Sequence, residues 1–177
     1  MTHVDDRVIE LARTALAFEF GGEHFYRHAA EMTENARGKA MFLRLADEEK
    51  GHTEETHELF GALLGEELWQ RILKEEEGKA HPSKLVDTLE TNIVNRGHMV
   101  VADETHALRL AMELERKAIE FYEDLAKHTE DPGLLKLIRR MADEERFHYD
   151  ILQSQLDSVL NVGLWLDQPE FRMDGKF

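Results

Sequence analysis

Cysteine is absent from this 177-residue chain. That excludes disulfides, thiolate zinc sites and any built-in iron centre held by sulfur. Proline is scarce, with Pro82, Pro132 and Pro169 the whole set, and the β-branched or aromatic alternation of strands is nearly missing. Between the prolines, Leu, Ala, Glu, Lys, Arg and Met dominate, so the expected class is all-α. Positive charge is also short. The 22 Lys and Arg against 37 Asp and Glu leave −15, a surface that repels phosphate backbones, and no basic patch offsets it; nucleic acid is not an expected partner. Long apolar runs and a charged-then-apolar leader are lacking too. Neither a membrane span nor a signal peptide is expected, and the chain reads as a soluble cytoplasmic protein.

What is present is helical periodicity, in a chain long enough for one well-buried domain. A first helix is predicted from about Asp5 to Thr33, with Val8, Leu11, Ala15, Phe18, Gly22, Phe25, Ala29 and Met32 on one face. Asn35 and Gly38 suit a tight turn into a second helix, about Lys39 to Phe60. After Gly61 the pattern weakens, and Gly65, Gly78 and His81-Pro82 break it; a short helix is predicted over Ser83 to Asn95. Asp103 can cap a third long helix to about His128, and Asp131-Pro132 places a cap and an N1 proline at the start of a fourth. That helix should end near Asn161 and Gly163. Two short turns make two antiparallel hairpins, and the long link over 61–103 lets the third helix start where the second did. The expected organisation is a four-helix bundle over 1–163, with one long crossover, and an extended tail over 164–177.

The two hairpins are copies. A shift of 96 positions lays Ala15, Glu19, Phe25, Tyr26, Ala30, Thr33 and Glu34 on Ala111, Glu115, Phe121, Tyr122, Ala126, Thr129 and Glu130. The same shift lays Arg44, Ala46, Asp47, Glu48, Glu49 and His52 on Arg140, Ala142, Asp143, Glu144, Glu145 and His148, without a gap. Shared Ala and Glu are common in unrelated helices. A Phe-Tyr pair and an Asp-Glu-Glu-x-x-His string in one register are not.

Glu49 and His52, three apart, point the same way from a helix, and Glu145 with His148 repeats the arrangement. Glu19 lies 16 residues before Asn35 and Glu49 14 after it, so at ~1.5 Å rise per residue the two reach nearly the same height in an antiparallel pair. Glu115 and Glu145 have the same offsets from Asp131. Two facing hairpins therefore bring four carboxylates and two imidazoles to one level. Four buried carboxylates cannot all ionise without cations, and two divalent ions remove the conflict. Glu and His without Cys suit iron or manganese, with zinc a possible substitute.

Neighbouring residues are weighed the same way. A third Glu-x-x-His, Glu54 with His57, falls opposite Asp150 and Gln153 in the repeat and reads as a solvated face, as do Glu54-Glu55 and Glu75-Glu76-Glu77. Tyr26 and Tyr122 lie on the metal-facing side, either as bundle aromatics or as hydrogen-bond donors behind the ligands. Glu23, one turn after Glu19 and opposite Ile119 in the repeat, is either a seventh ligand on one side or an exposed residue. Glu48 and Glu144 directly precede the assigned ligands, and spacing from the histidines alone does not separate them. His24, His28 and His106 are expected at the surface or in packing.

Glu19…Tyr26, Glu49-Lys50-Gly51-His52, Glu115…Tyr122 and Glu145-Arg146-Phe147-His148 together resemble the rubrerythrin branch of the ferritin-like superfamily, over roughly residues 5 to 160. The ligand set of Glu from two helices and Glu-x-x-His from two others is itself the known signature of ferritin-like di-metal bundles. The resemblance implies two iron ions, with Glu49 and Glu145 bridging, Glu19 and Glu115 terminal, and His52 and His148 each on one ion. It implies reduction of hydrogen peroxide or oxidation of ferrous iron. Two departures stand out. Many members carry a four-cysteine rubredoxin-like tail, which this chain cannot have, so electrons would come from an external rubredoxin-like or flavoprotein donor. Members also use an extra glutamate three residues after the third-helix ligand, where this chain has Ala118. The sequence therefore leads to a peroxide or dioxygen reductase, with an iron-handling ferroxidase and a metal-free helical scaffold as the alternatives. A homodimer, with hairpins closing within a chain or exchanged between chains, is the expected assembly.

Overall fold

A computed structural model describes residues 6–79 and 104–166. Within them lie five α-helices and no strand: α1 Asp6–Met32, α2 Ala36–Leu64, α3 Glu66–Glu77, α4 Glu104–Lys127 and α5 Pro132–Val162. The all-α class and the four long helices expected from periodicity are present. None of the described helices is long and apolar enough to cross a membrane.

Both hairpin turns are fixed by local chemistry. The Asn35 carboxamide accepts from the amides of Arg37 and Gly38 at 2.9 and 3.4 Å, and the Asp131 carboxylate accepts from Leu134 N at 2.8 Å. These caps are repeat mates, and each satisfies amides that a helix start leaves open. Asn35 capping starts α2 at Ala36, three residues earlier than expected.

Gly61 does not end α2. It sits inside the helix where a Cβ would collide with the His57 ring, at 2.4 Å from Cδ2, and so lets that ring lie flat. The true stop is Gly65, at φ 75°, whose amide closes on Gly61 O at 2.8 Å. From there the chain enters α3, in a stretch where the sequence pattern predicts no helix. Gly65 and Gly78 bound this helix rather than dissolve it. Its Trp69 and Ile72 are buried against α1 and α2, and the His57 ring stacks on Trp69 at 5.1 Å. The solvent-facing reading of 75–77 fails at its centre. Glu76 is buried and bound by Arg13 of α1, which also holds Glu75. Glu55, likewise expected in solvent, is half-buried and pairs with Arg140. The short helix expected over 83–95, the Asp103 cap and the tail beyond 166 lie outside the described residues.

The apolar core has two parts. One holds Tyr26, Phe42, Leu45, Leu108 and Leu152 at the end where α1 turns into α2. The other holds Leu16, Phe60, Trp69, Ile72, Tyr122 and Met141 at the end where α4 turns into α5. Full burial of each large side chain contributes about 1.5–3 kcal/mol. Just after α5 the chain folds back. Trp165 is buried on Phe42 and on Gly38, where a Cβ would come within 2.9 Å of the indole, while Gln155 holds Leu166 by its backbone amide and carbonyl. Trp165 lies 96 residues after Trp69, so the repeat reaches past the helices into the packing that follows each hairpin. Between the two apolar parts lies a layer that is buried and polar.

Candidate metal centre

The residues of this layer come from the four long helices at one height. Glu19, Glu49, His52, Glu115, Glu145 and His148 are all at most 5% exposed. His52 Nδ1 lies 3.3 Å from Glu19, 3.6 Å from Glu49 and 3.3 Å from Glu145. His148 Nδ1 lies 3.3 Å from Glu49, 3.6 Å from Glu115 and 3.3 Å from Glu145. The two rings stack 5.5 Å apart. Two overlapping groups result, Glu19–Glu49–His52–Glu145 and Glu49–Glu115–Glu145–His148, in each of which one ligand atom per residue falls within 4.8 Å of the others. Glu49 and Glu145 belong to both. Gly22 makes room for the first of them, since a Cβ there would stand 3.0 Å from Glu49 Cδ.

The tyrosines cross between hairpins. Tyr26 donates its hydroxyl proton to Glu115 and Tyr122 donates to Glu19, so each of these carboxylates is held by the other copy. Burial, then the adjacent carboxylate, pushes both phenols well above their ordinary pKa, which keeps them neutral donors. The same reciprocity operates behind the histidines. Glu48 of α2 accepts from His148 Nε2 at 3.1 Å, and Glu144 of α5 lies 3.4 Å from His52 Nε2. Glu48 and Glu144 thus stand on the far side of the rings from the six-residue cluster. The sequence carried a sign of this, since both acids recur in register, but only the crossed packing shows which ring each one reaches. Glu23 is elsewhere: it pairs with Arg27 at 3.0 Å and belongs to neither group. His24 Nδ1 bonds Phe20 O, His28 is exposed, and His57 bonds Glu66.

Protons gather in this layer. Burial, opposed by His52 and reinforced by Glu145 and Glu49, pushes Glu19 up to about 8. Burial and then Glu145 push Glu115 up to about 7. Burial disfavours charge on His52 and His148, but the surrounding carboxylates outweigh it and both titrate higher than usual. Four buried atoms of the cluster, Glu19 Oε2, His52 Nδ1, Glu145 Oε2 and His148 Nδ1, have no hydrogen-bond partner. They converge from α1, α2 and α5. Unpaired acceptors and ring nitrogens aimed at one another are costly unless a cation joins them. Four carboxylates and two divalent ions sum to zero charge, and Glu/His donors without sulfur suit iron or manganese. The residues fit a two-metal centre.

The family model for rubrerythrin matches residues 10–156. The chain belongs to the rubrerythrin family. A solved structure of a hypothetical protein from Pyrococcus furiosus shares the fold, with a TM-score of 0.65 and 24% identity over 87% of this chain and 90% of that one. No curated protein matches. In this rubrerythrin-family chain the centre is open on one side. Between α2 and α5 a pocket of about 500 Å³ has His52 and His148 at its base and Glu48, Glu54, Glu55, Glu58, Glu144 and Arg140 around it.

Proposed function

We propose that the chain holds two iron ions in this layer and reduces hydrogen peroxide to water with electrons from an external donor. The observation that carries the proposal is the pair of overlapping buried groups sharing Glu49 and Glu145. Glu19 and His52 would hold one ion, Glu115 and His148 the other, and the shared glutamates would lie between them; manganese or zinc could occupy the same donors. Bound iron would supply the two electrons that, with two protons, turn one peroxide into two waters. The protein's part is positional. Tyr26 and Tyr122 would fix the terminal carboxylates, Glu48 orients the His148 ring so that Nδ1 faces inward, with Glu144 standing behind the His52 ring, and buried Phe25 and half-buried Phe121, edge-on to the tyrosines, limit water. With no cysteine for an internal relay, sustained turnover requires a donor of rubredoxin or flavoprotein type.

The acid-lined pocket favours a second reading, iron handling with ferroxidase activity, because such a mouth concentrates cations. Stopped-flow oxidation of the reduced, iron-loaded protein separates the two. Faster reaction with peroxide than with oxygen supports the peroxidase; the reverse order replaces it with the ferroxidase. Metal analysis of protein from an iron-replete host tests both against a metal-free scaffold.

A further inference from the structure

The two halves of the centre are built from matching residues, so any inequality between them must come from where the repeat breaks. One break lies directly behind the histidines. On one side Glu48 accepts from His148 Nε2 at 3.1 Å and is itself gripped by Arg44 Nε at 2.8 Å. Ring, carboxylate and guanidinium form a continuous chain. On the other side the matching residues are His52, Glu144 and Arg140, and the chain is interrupted. Arg140 Nη2 lies 2.9 Å from Glu55 Oε2, an ion pair without hydrogen-bond geometry, and its Nε reaches Glu144 only at 4.0 Å. Glu144 Oε2, 3.4 Å from His52 Nε2, makes no hydrogen bond although it is buried. The cause is legible in the sequence: position 55 is Glu, whereas its repeat mate is Ile151. Glu55 has no twin, and it draws Arg140 away.

A carboxylate bonded to the outer nitrogen of a metal-binding imidazole fixes the tautomer, holds the ring and makes the inner nitrogen more basic; losing such a partner costs about 10–100-fold in metal affinity. From this we infer that the two metal positions are unequal: the one built on Glu115 and His148 is the tight position, and the one built on Glu19 and His52 is the exchangeable one. The inference rests on the two-metal reading given above. Both acids and both rings line the pocket, but of the two arginines only Arg140 does, together with Glu55, so the broken relay is the one that ends at the mouth. The centre would fill first at His148 and gain or lose its second ion at His52.

The test uses the full chain freed of metal, with Co²⁺ as the probe. At one equivalent, anomalous scattering from crystals should place cobalt mainly between Glu115 and His148, and an absorption titration should show a second step at least about tenfold weaker. Glu55→Ile, the residue its mate carries, should return Arg140 to Glu144 and bring the two occupancies together. Glu48→Gln should weaken the first step about tenfold or more, while Glu144→Gln leaves it unchanged. Circular dichroism confirms that each variant is folded. Equal occupancy in the parent protein, or an occupancy ratio that Glu55→Ile does not alter, overturns the inequality. Folded protein that takes up no cobalt at all is a different result, and overturns the two-metal reading itself.

Discussion

At the scale of single residues, the metal-free layer is a store of protons. Glu19 and Glu115 bind protons more tightly in the folded chain than in the unfolded one, and so do His52 and His148. Raised pKa values contribute stability that is complete at low pH and is lost as pH climbs through the folded values. Here the loss starts near the ordinary carboxyl value of 4.5 and continues past the value of about 8 reached by Glu19. Glu48, whose hydrogen bonds from His148 and Arg44 outweigh burial and hold it below its usual range, acts in the opposite sense but only at more acidic pH. Metal-free protein should therefore melt at a lower temperature at pH 8 than at pH 5.5. Metal-loaded protein should show the reverse, because the ligands must shed protons to bind. Calorimetry at the two pH values checks both signs, and a metal-free form that is more stable at pH 8 contradicts the proton store. The tyrosines give a second residue-scale expectation. Tyr26→Phe leaves the buried Glu115 without its hydroxyl donor and should cost about 1–3 kcal/mol in urea unfolding, with Tyr122→Phe and Glu19 behaving alike.

At the scale of elements, the long helices were readable because their signals are local. Asn35 and Asp131 cap from their own chain, and the apolar period runs without interruption across each hairpin. The six residues that converge in the buried layer were readable for another reason: a gap-free repeat, counted from two turns, sets their heights before any packing is known. What escaped was tertiary. Helix α3 hides behind Gly65 and Gly78, and its stability comes from tertiary partners, His57 and Phe60 on α2 and Arg13 on α1. Glu76 looks like one acid in an acidic run until Arg13 is seen across from it. Likewise Glu48 and Glu144 are indistinguishable from ligands by spacing until the opposite hairpin delivers an imidazole to their outer side. Arg13 therefore makes a specific prediction. Arg13→Ala strips a buried carboxylate of its main cation, with Lys79 remaining as a partial substitute. It should cost about 1–3 kcal/mol and loosen α3 before the bundle, seen as earlier amide exchange over 66–77. Uniform exchange loss across all helices would show instead that α3 and the bundle unfold as one unit.

At the scale of the whole molecule, two apolar cores are separated by a charged layer, and the hairpins meet through it. Most crossed contacts in the layer come in matching pairs, Tyr26 with Glu115 and Tyr122 with Glu19, and an acid stands behind each imidazole, although only Glu48 hydrogen-bonds its ring. Reciprocal contacts of this kind form equally well within one chain or between two that exchange hairpins, which is why a homodimer is proposed and why its two forms would share one local geometry. A monomeric mass in solution at micromolar concentration refutes the dimer; a dimer with each centre drawn from one chain refutes only the exchange. The layer would also make folding stability depend on metal. Ligand binding to the folded state alone adds RT ln(1 + [L]/Kd), about 2.7 kcal/mol at a hundredfold excess over Kd, and a second position about tenfold weaker would add about 1.4 kcal/mol at the same metal concentration. Glu145→Ala removes one of the two shared carboxylates, so most metal and most of that stabilisation should go together. The helices should stay, because both apolar cores are intact and a like charge has been taken out of a buried site. Circular dichroism of the metal-free variant should match that of the metal-free parent, and added Fe²⁺ under anaerobic conditions should raise the melting temperature of the parent alone. Collapse of the variant's helical signal without metal would mean that Glu145 holds the hairpins together by itself, and that the layer is structural before it is a metal centre.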